Sequence, residues 1–294
     1  MAEESRAFGL DRGGVRRAFD RASERYESAA RLQARVSAEL VSRLEGVRFT
    51  PAVVLDLGAG TGRVTAQLKR RYPRAQVLAL DFSLGMLKQA QRHQRLWRRF
   101  ARVCADAQRL PLRSASVDLV FSSLMLQWCQ PPDAAFAEVR RVLKPGGFFA
   151  FSTFGPATLH ELRSAWAAAD AYNHVNHFPD MHDVGDALVR AGLTEPVLDV
   201  DRIESGYPDA LALMRDLKSI GAHNVTAGRA RTLLGRAHLE RMAAAYESRR
   251  AHGVLPATWE VIYGASWGAD GQRGAAVRGG EALISPAAIG RPRR

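Results

Sequence analysis

Apolar residues recur at alternating steps of four and three along the first part of the chain. Val15, Phe19, Ala22, Tyr26, Ala29, Gln33, Val36 and Leu40 fall on one stripe. That period predicts one long amphipathic helix over 14–45, ended by Gly46 and Pro51. Beyond it come short β-branched runs separated by helical patterns. "AVVLDLGAG" (52–60), "QVLALD" (76–81), Ala101–Cys104, "SVDLVFSSL" (116–124) and "FFAFSTF" (148–154) read as strands. "GRVTAQLKRRY" (62–72), a basic stretch from Leu84 to Arg99, and "PPDAAFAEVRRVL" (131–143), stopped by "KPGG", read as the helices between them. This alternation indicates βαβ units and a parallel sheet. After residue 154 the rhythm changes. A helical pattern (157–172) and a turn at "NHFPD" precede a helix over 181–191, with Asp180 as N-cap and Gly192 as its stop. A strand (195–204), a helical stretch from Pro208 to Arg250 and a last strand, "ATWEVIYGASW" (257–267), follow. From Gly268 onward Gly, Ala and Arg dominate without period, which predicts a disordered tail. The chain shows no internal repeats.

The chemistry gathers where the first sheet strand turns into a helix. Asp56 stands two residues before Gly58, and Gly60 and Gly62 follow in a G-x-G-x-G spacing. Glycines there let the backbone adopt positive φ and approach a ligand closely. Ligands of open parallel sheets bind outside the carboxyl ends of the strands, where strand order reverses. Asp81 ends the second strand, 23 residues after Gly58, where an acid can accept hydrogen bonds from both ribose hydroxyls. A dinucleotide fingerprint would read G-x-G-x-x-G and set a pyrophosphate on the helix N-terminus. The extra carboxylate of Asp56 would repel a pyrophosphate, but it can pair with an ammonium group. S-adenosylmethionine carries an ammonium, a sulfonium and a ribose and no phosphate, so the constellation favours that cofactor over a nicotinamide. Asp106, after the third strand, is positioned for an adenine amino group beside the backbone of Ala107. Phe82, Met86 and Leu110 would wall the adenine or serve as core, and Ser123 at the end of the fourth strand is counted with the cofactor residues.

Composition narrows the setting. The 294 residues are 47% hydrophobic and 24% charged, ordinary for a soluble globular chain and unlike a fully disordered or collagen-like one. Two cysteines, Cys104 and Cys129, cannot build a disulfide framework or a cysteine-based zinc site. No apolar run approaches the roughly 18–20 residues that span a bilayer, and "MAEESRAFGLDR" lacks the apolar core of a signal peptide. A cytoplasmic location is the expectation. The net charge of +12, almost all of it arginine, reflects coding composition or an acidic partner. Nucleic acid is one such partner, and Lys88–Arg102, "KQAQRHQRLWRRFAR", is the best aromatic-interleaved basic stretch for it. That stretch also fits a solvated helix face.

"VLDLGAGTG", "LALDFS", "ADAQRLPL" and "LKPGGFFAFSTF" together resemble the class I S-adenosylmethionine-dependent methyltransferases over 51–154. The resemblance implies an α/β fold: a Rossmann-like, mostly parallel seven-stranded sheet with helices on both faces, plus an N-terminal helix and helical lid insertions. The flanks are more telling. "FDRASERYESAARLQARV", "SSLMLQWC", "FGPATLHELRSAW", "LMRDLKSIGAHN" and "LPATWEVIYGASW" resemble the malonyl-acyl-carrier-protein O-methyltransferases of biotin synthesis. That family esterifies the free carboxylate of a malonyl thioester, which disguises it for elongation towards the pimeloyl precursor. Parts of the same pattern are similar to a mitochondrial complex I assembly factor that hydroxylates a protein arginine, so the alternative is arginine hydroxylation or an assembly role. On this basis residues 1–13 are expected to be disordered, 14–267 to form the methyltransferase domain and 268–294 the disordered tail. Within the domain, 14–45 is the N-terminal helix, 51–154 the cofactor core, 155–255 the lid and substrate segments, and 256–267 the last strand.

The resemblance implies an acidic carrier protein as partner, with neither nucleic acid nor membrane, and a monomer. Amine-methylating enzymes of nucleic acids resemble one another in an Asn/Asp-Pro-Pro-aromatic run after the fourth strand, where this chain reads "SSLMLQW". A malonyl carboxylate is already ionised at neutral pH, so its methylation needs positioning rather than a general base. Arginine suits that task because its fixed fork of donors can hold one oxygen. Arg215 and Lys218, at i, i+3 spacing in the lid, and Arg229 a loop later are the candidates, with His223 and Asn224 behind them. Each could equally be a solvated face. Tyr26 falls on the apolar stripe, and the resemblance implies an active-site role for it. "NHFPDMHD" (176–183) gathers two His and two Asp, but Pro179 breaks the alignment and capping explains the acids, so no metal is expected.

Overall fold

A computed structural model of the chain describes residues 11–96, 98–222, 235–269, 276–278 and 281–283. The β-branched runs form the strands. β1 (Val53–Leu57), β2 (Gln76–Asp81), β3 (Ala101–Cys104) and β4 (Val117–Ser123) are parallel, and β5 (Leu143–Phe154) pairs parallel with β4. β6 (Leu193–Tyr207) and β7 (Leu255–Gly268) complete the sheet in the order β3-β2-β1-β4-β5-β7-β6, with β7 antiparallel to both neighbours. Strand order reverses between β1 and β4, which opens a crevice at their carboxyl ends.

Helices cover both faces, as a parallel sheet buried on both sides requires. One core joins α3 (Arg31–Arg43), α4 (Arg63–Arg71) and α5 (Leu84–Ala90) to the sheet through Val36, Leu40, Leu68 and Leu87. The same core takes in the lid helices α7 (His160–Ala167), α9 (Ala210–Ser219) and α10 (Arg236–Glu247) through Leu162, Leu213, Met242 and Tyr246. The opposite core packs α6 (Asp133–Val142) and α8 (Met181–Arg190) on the sheet, with Phe136 against Phe149 and Phe151. Asp180 caps α8 by accepting the Asp183 amide at 2.9 Å.

Four expectations need correction. The single helix over 14–45 is broken into α1 (Arg12–Ala22), the one-turn α2 (Tyr26–Ala29) and α3. Ser23 Oγ turns back on the Asp20 carbonyl at 2.9 Å, and Ala30 leaves helical geometry at φ −79°, ψ 48°. The basic helix from Leu84 ends at Ala90, followed by a 3-10 turn (Gln91–His93), because the Arg102 guanidinium reaches the Leu87 carbonyl at 2.9 Å. Arg12 and Gly13, expected to be disordered, open α1, which Asp11 caps through the Gly14 amide. Within the tail expected to lack structure, the described residues form two three-residue strands, β8 (Ala276–Arg278) antiparallel to β9 (Glu281–Leu283).

Candidate functional site

The crevice at the switch point is built first by the β1–α4 loop. Gly58, Gly60 and Gly62 take φ of +79°, +52° and +76°, which a side chain adopts only with strain. A Cβ on Gly58 would stand 2.3 Å from Met125 Cγ, and one on Gly62 would stand 2.6 Å from Ala90 Cβ. Gly62 therefore serves the seat of α4 on α5, whereas nothing lies within 4 Å of a Cβ built on Gly60. The Gly58 and Ala59 amides both donate to the Leu80 carbonyl, at 2.8 and 2.9 Å, and lash the loop to the end of β2.

Asp81 then organises the neighbouring turn. Its Oδ2 accepts the Gly60 amide and its Oδ1 the Ser83 amide, each at 2.8 Å. Burial pushes its carboxyl up to about 6, against those amides, and the charge of Asp20 adds to the rise. Asp56 is 2% exposed and accepts the Thr65 hydroxyl at 2.5 Å. Burial pushes it up to about 7, with Thr65 opposing and Asp81 adding. Two carboxylates on adjacent strands, Asp56 buried and Asp81 half-buried, both raised chiefly by desolvation, form a site that gains from an incoming cation.

Around them lies an open cleft of about 830 Å³ lined by Tyr26, Gly58, Gly60, Asp81, Phe82, Met86, Asp106, Ala107 and Ser123. A second hollow, about 560 Å³, shares Tyr26, Gly58, Gly60 and Ser123 with it and brings in Asp56, Glu27 and Arg63. The expected cofactor residues are thus gathered in one place, Gly62 behind them and Leu110 apart, buried in the core across the sheet. Tyr26 is half-buried between the two hollows, and burial, then the Asp81 charge, drives its hydroxyl well above the ordinary tyrosine range.

Several cleft residues escaped the sequence. Arg12, Val15 and Phe19 reach the cleft from α1, and Met125, Trp128 and Cys129 from the turn after β4. Val15 and Phe19 were legible only as a helical stripe, and "LQWC" only as part of a resemblance. Phe19 meets Trp128 edge-on at 5.3 Å and 88°. Arg12 forms an ion pair with Asp106, whose Oδ1 also accepts the Gln108 amide at 2.9 Å. The acid assigned to an adenine is therefore already engaged by the N-terminal helix. Asp20 ties the same helix to the start of α5, accepting Ser83 Oγ at 2.6 Å and the Gly85 amide at 2.9 Å.

Of the substrate-side cations, neither Arg215 nor Lys218 lines the cleft or the hollow beside it. Arg215 and Lys218 are exposed, and Arg215 Nε donates to the Leu211 carbonyl of its own helix at 3.2 Å. The same helix turns Met214 and Leu217 inward, towards a third hollow behind Trp128. Arg229, His223 and Asn224 lie outside the described residues. Among the described residues no group of three or more His, Cys, Asp or Glu could hold a metal.

Comparison with known proteins adds the chain's relatives. The family described as "Methyltransferase domain" matches residues 55–151. A protein of Methylovorus sp. (strain MP688) named malonyl-[acyl-carrier protein] O-methyltransferase is 51% identical over 268 residues, covering 89% of this chain and 90% of its own. One of the same name from Laribacter hongkongensis (strain HLHK9) is 52% identical over 269 residues, 89% of this chain and 91% of its own. Among solved structures, the YcgJ protein of Bacillus subtilis superposes with a TM-score of 0.56 at 15% identity, over 79% of this chain and 98% of its own, which shows the shared fold.

Proposed function

The chain belongs to the malonyl-[acyl-carrier protein] O-methyltransferase family, and from that premise we propose that it esterifies the free carboxylate of malonyl carried on acyl carrier protein. The observation that carries the cofactor side is the carboxylate pair, buried Asp56 and half-buried Asp81, beside an open glycine turn. That donor set fits S-adenosylmethionine, which when bound supplies a methyl group on a positively charged sulfur. Asp56 would hold its ammonium and Asp81 its ribose hydroxyls. The Gly58 and Gly60 backbone gives room for close approach, Phe82, Met86 and Ala107 flank the adenine, and Ser123 closes the floor. Asp106 would take the adenine amino group once Arg12 yields or shares it. No base is needed, because a malonyl carboxylate is ionised at neutral pH. Tyr26, held protonated by its burial, donates a hydrogen bond and positions rather than deprotonates. Val15, Phe19 and Trp128 exclude water over the reacting atoms, which strengthens every charge interaction beneath them.

The formal charge of +12 would steer an acidic carrier to the surface and make the encounter salt-sensitive. We place the enzyme in the cytoplasm as a monomer, with no nucleic-acid or membrane partner. Among the described residues no helix is long and apolar enough to cross a membrane. The relatives' names do not favour arginine hydroxylation. Purified protein, methyl-labelled cofactor and malonyl-carrier are expected to give a carrier-linked methyl ester, read by intact mass. Absence of that ester with cofactor bound would falsify the proposal.

A further inference from the structure

A hollow of about 910 Å³ lies beyond Trp128, the side chain it shares with the cofactor cleft. Its walls are apolar, with Phe154, Leu162, Trp166 and Phe178 prominent. Phe154 packs against Phe178 at 5.6 Å and against Trp259 at 5.7 Å between ring centroids, which makes that side rigid. Among the described residues four buried side-chain polar atoms have no hydrogen-bond partner: Gln127 Oε1, Asn176 Oδ1, Trp259 Nε1 and Ser266 Oγ. Three of these four belong to residues that line this one chamber. Gln127 is 5% exposed, Asn176 8% and Trp259 4%. Buried polar groups are otherwise satisfied, and such a cluster asks for a partner from outside the chain.

The chemistry of the three atoms limits what that partner can be. Two are amide oxygens, which accept, and one is an indole N–H, which donates. Gln127 Nε2 already donates to the Leu124 carbonyl at 2.6 Å, which fixes its oxygen as the open end. A fatty chain would leave all three bare, and a sugar or nucleotide would meet too few polar groups on aromatic walls. A malonyl group alone brings acceptors but no N–H. A flexible chain of methylenes carrying secondary amides offers two N–H donors and carbonyl acceptors within an apolar outline.

We propose that this chamber holds the pantetheine arm of the thioester substrate, with Gln127 and Asn176 each accepting an amide N–H and the Trp259 indole donating to an arm carbonyl. The assignment rests on the malonyl thioester reaction proposed above. The arm's acyl end then passes Trp128 into the cofactor cleft. All three atoms are closed to solvent as the chamber stands, so the arm parts the wall side chains as it enters. The Asn176 amide turns to meet it about a broad terminal torsion, and Gln127 presents its oxygen while Nε2 keeps the Leu124 carbonyl. Coenzyme A and a carrier protein present the same arm, and the chamber reads what they share.

The test compares malonyl-pantetheine, which has two amides, with the malonyl thioester of propanethiol, which has none. In the wild type kcat/KM is expected to be at least tenfold higher for malonyl-pantetheine. Asn176→Leu and Trp259→Phe should each shrink that ratio about fivefold or more, with the loss in KM and with cofactor affinity by calorimetry unaltered. They should weaken malonyl-coenzyme A and malonyl-carrier by the same factor. A variant that merely loosens the fold lowers both small thioesters in proportion, and an unchanged ratio in both variants overturns the assignment. A loss confined to the carrier also overturns it, because the contact would then lie on the protein. If the wild type forms no ester from malonyl-carrier, the reaction itself has been misassigned. Ester formation with an unchanged ratio condemns only the chamber.

Discussion

The cofactor cleft and the chamber behind Trp128 treat their polar groups in opposite ways. In the cleft, Asp81 accepts the amides of Gly60 and of the nearby Ser83, and Asp56 accepts the hydroxyl of Thr65 in the helix that follows the glycine motif. In the chamber, Gln127, Asn176 and Trp259 each leave an atom unpaired, and they come from three distant parts of the chain. The cleft is thus organised before anything binds, whereas the chamber is completed by its occupant. Preorganisation lowers the cost of binding. An incomplete chamber instead makes affinity depend on the ligand's own hydrogen bonds, which is how a site rejects an analogue that lacks them.

The sharpest way to break this comparison is to disturb the prebuilt side. Gly58→Ala puts a side chain at φ +79°, 2.3 Å from Met125 Cγ. The left-handed backbone costs about 1–2 kcal/mol and the overpacking a further ~1–3 kcal/mol. Urea unfolding is expected to show a loss of that combined order, and a variant as stable as the wild type would mean that the loop is not held as described. Asp81→Asn comes next. It weakens charge-assisted bonds worth about 1.5–3 kcal/mol, so calorimetry should find S-adenosylmethionine bound roughly 10–100-fold more weakly. Near-normal affinity would move the ribose away from Asp81.

How much of this was legible follows the same division. The strands and the Asp56–Gly62 turn are local: their period and spacing lie within one βα unit and survive any packing. The breaks at Ser23 and Ala30 were not legible, because the four-and-three stripe runs through them. Val36 and Leu40 still face the core on the far side, while the break turns Tyr26 to the cleft. The stop at Ala90 depends on Arg102, a contact from the β3 strand that no helical period records. Arg12 lay in a polar terminus with no pattern to distinguish it. For Arg215 and Lys218 the spacing was right for a shared face, but charge at i, i+3 looks the same whether that face points in or out. Only the burial of Ala210 and Leu213 on the same helix, against the exposure of Arg215 and Lys218, shows which way the face points.

The pH dependence sharpens the comparison with a smaller effect. Asp56 is raised to about 7 and Asp81 to about 6. An ammonium pairs only with the ionised form, so affinity for S-adenosylmethionine should be greatest at about pH 7–8, where Asp56 is ionised and the ligand's α-amino group, ordinarily titrating at about 7.7–8.0, still carries its charge. It should fall by up to about tenfold per unit as Asp56 protonates below that. Binding at pH 6.5 should release protons, measured by calorimetry in two buffers of different ionisation enthalpy. Methylthioadenosine, which has no ammonium, should show little of this slope between pH 7 and 6. Folding has the opposite sign. Both folded-state values lie above the ordinary 3.8, so this pair's contribution to apoprotein stability is complete below about pH 4 and is lost as pH rises through 6 and 7. Added cofactor should restore it, and the gain in Tm on adding cofactor should therefore be greater at pH 8 than at pH 5.

The smallest expected effect lies on the outside of the lid. Arg215 and Lys218 are exposed, and the helix that carries them gives the chamber only Met214 and Leu217. Neither cation lines the cofactor cleft, and exposed charges interact weakly. Arg215→Ala and Lys218→Ala should change kcat/KM for malonyl-pantetheine by less than about twofold. With malonyl-carrier the same variants have a second route to an effect, because a surface cation can steer an acidic partner. That effect would appear in the association rate and grow as salt is lowered from 0.15 M, where the screening length is about 8 Å. A large loss on malonyl-pantetheine that salt does not alter would bring these side chains into the site and erase the distinction between an inner face that reads the arm and an outer face that meets its carrier.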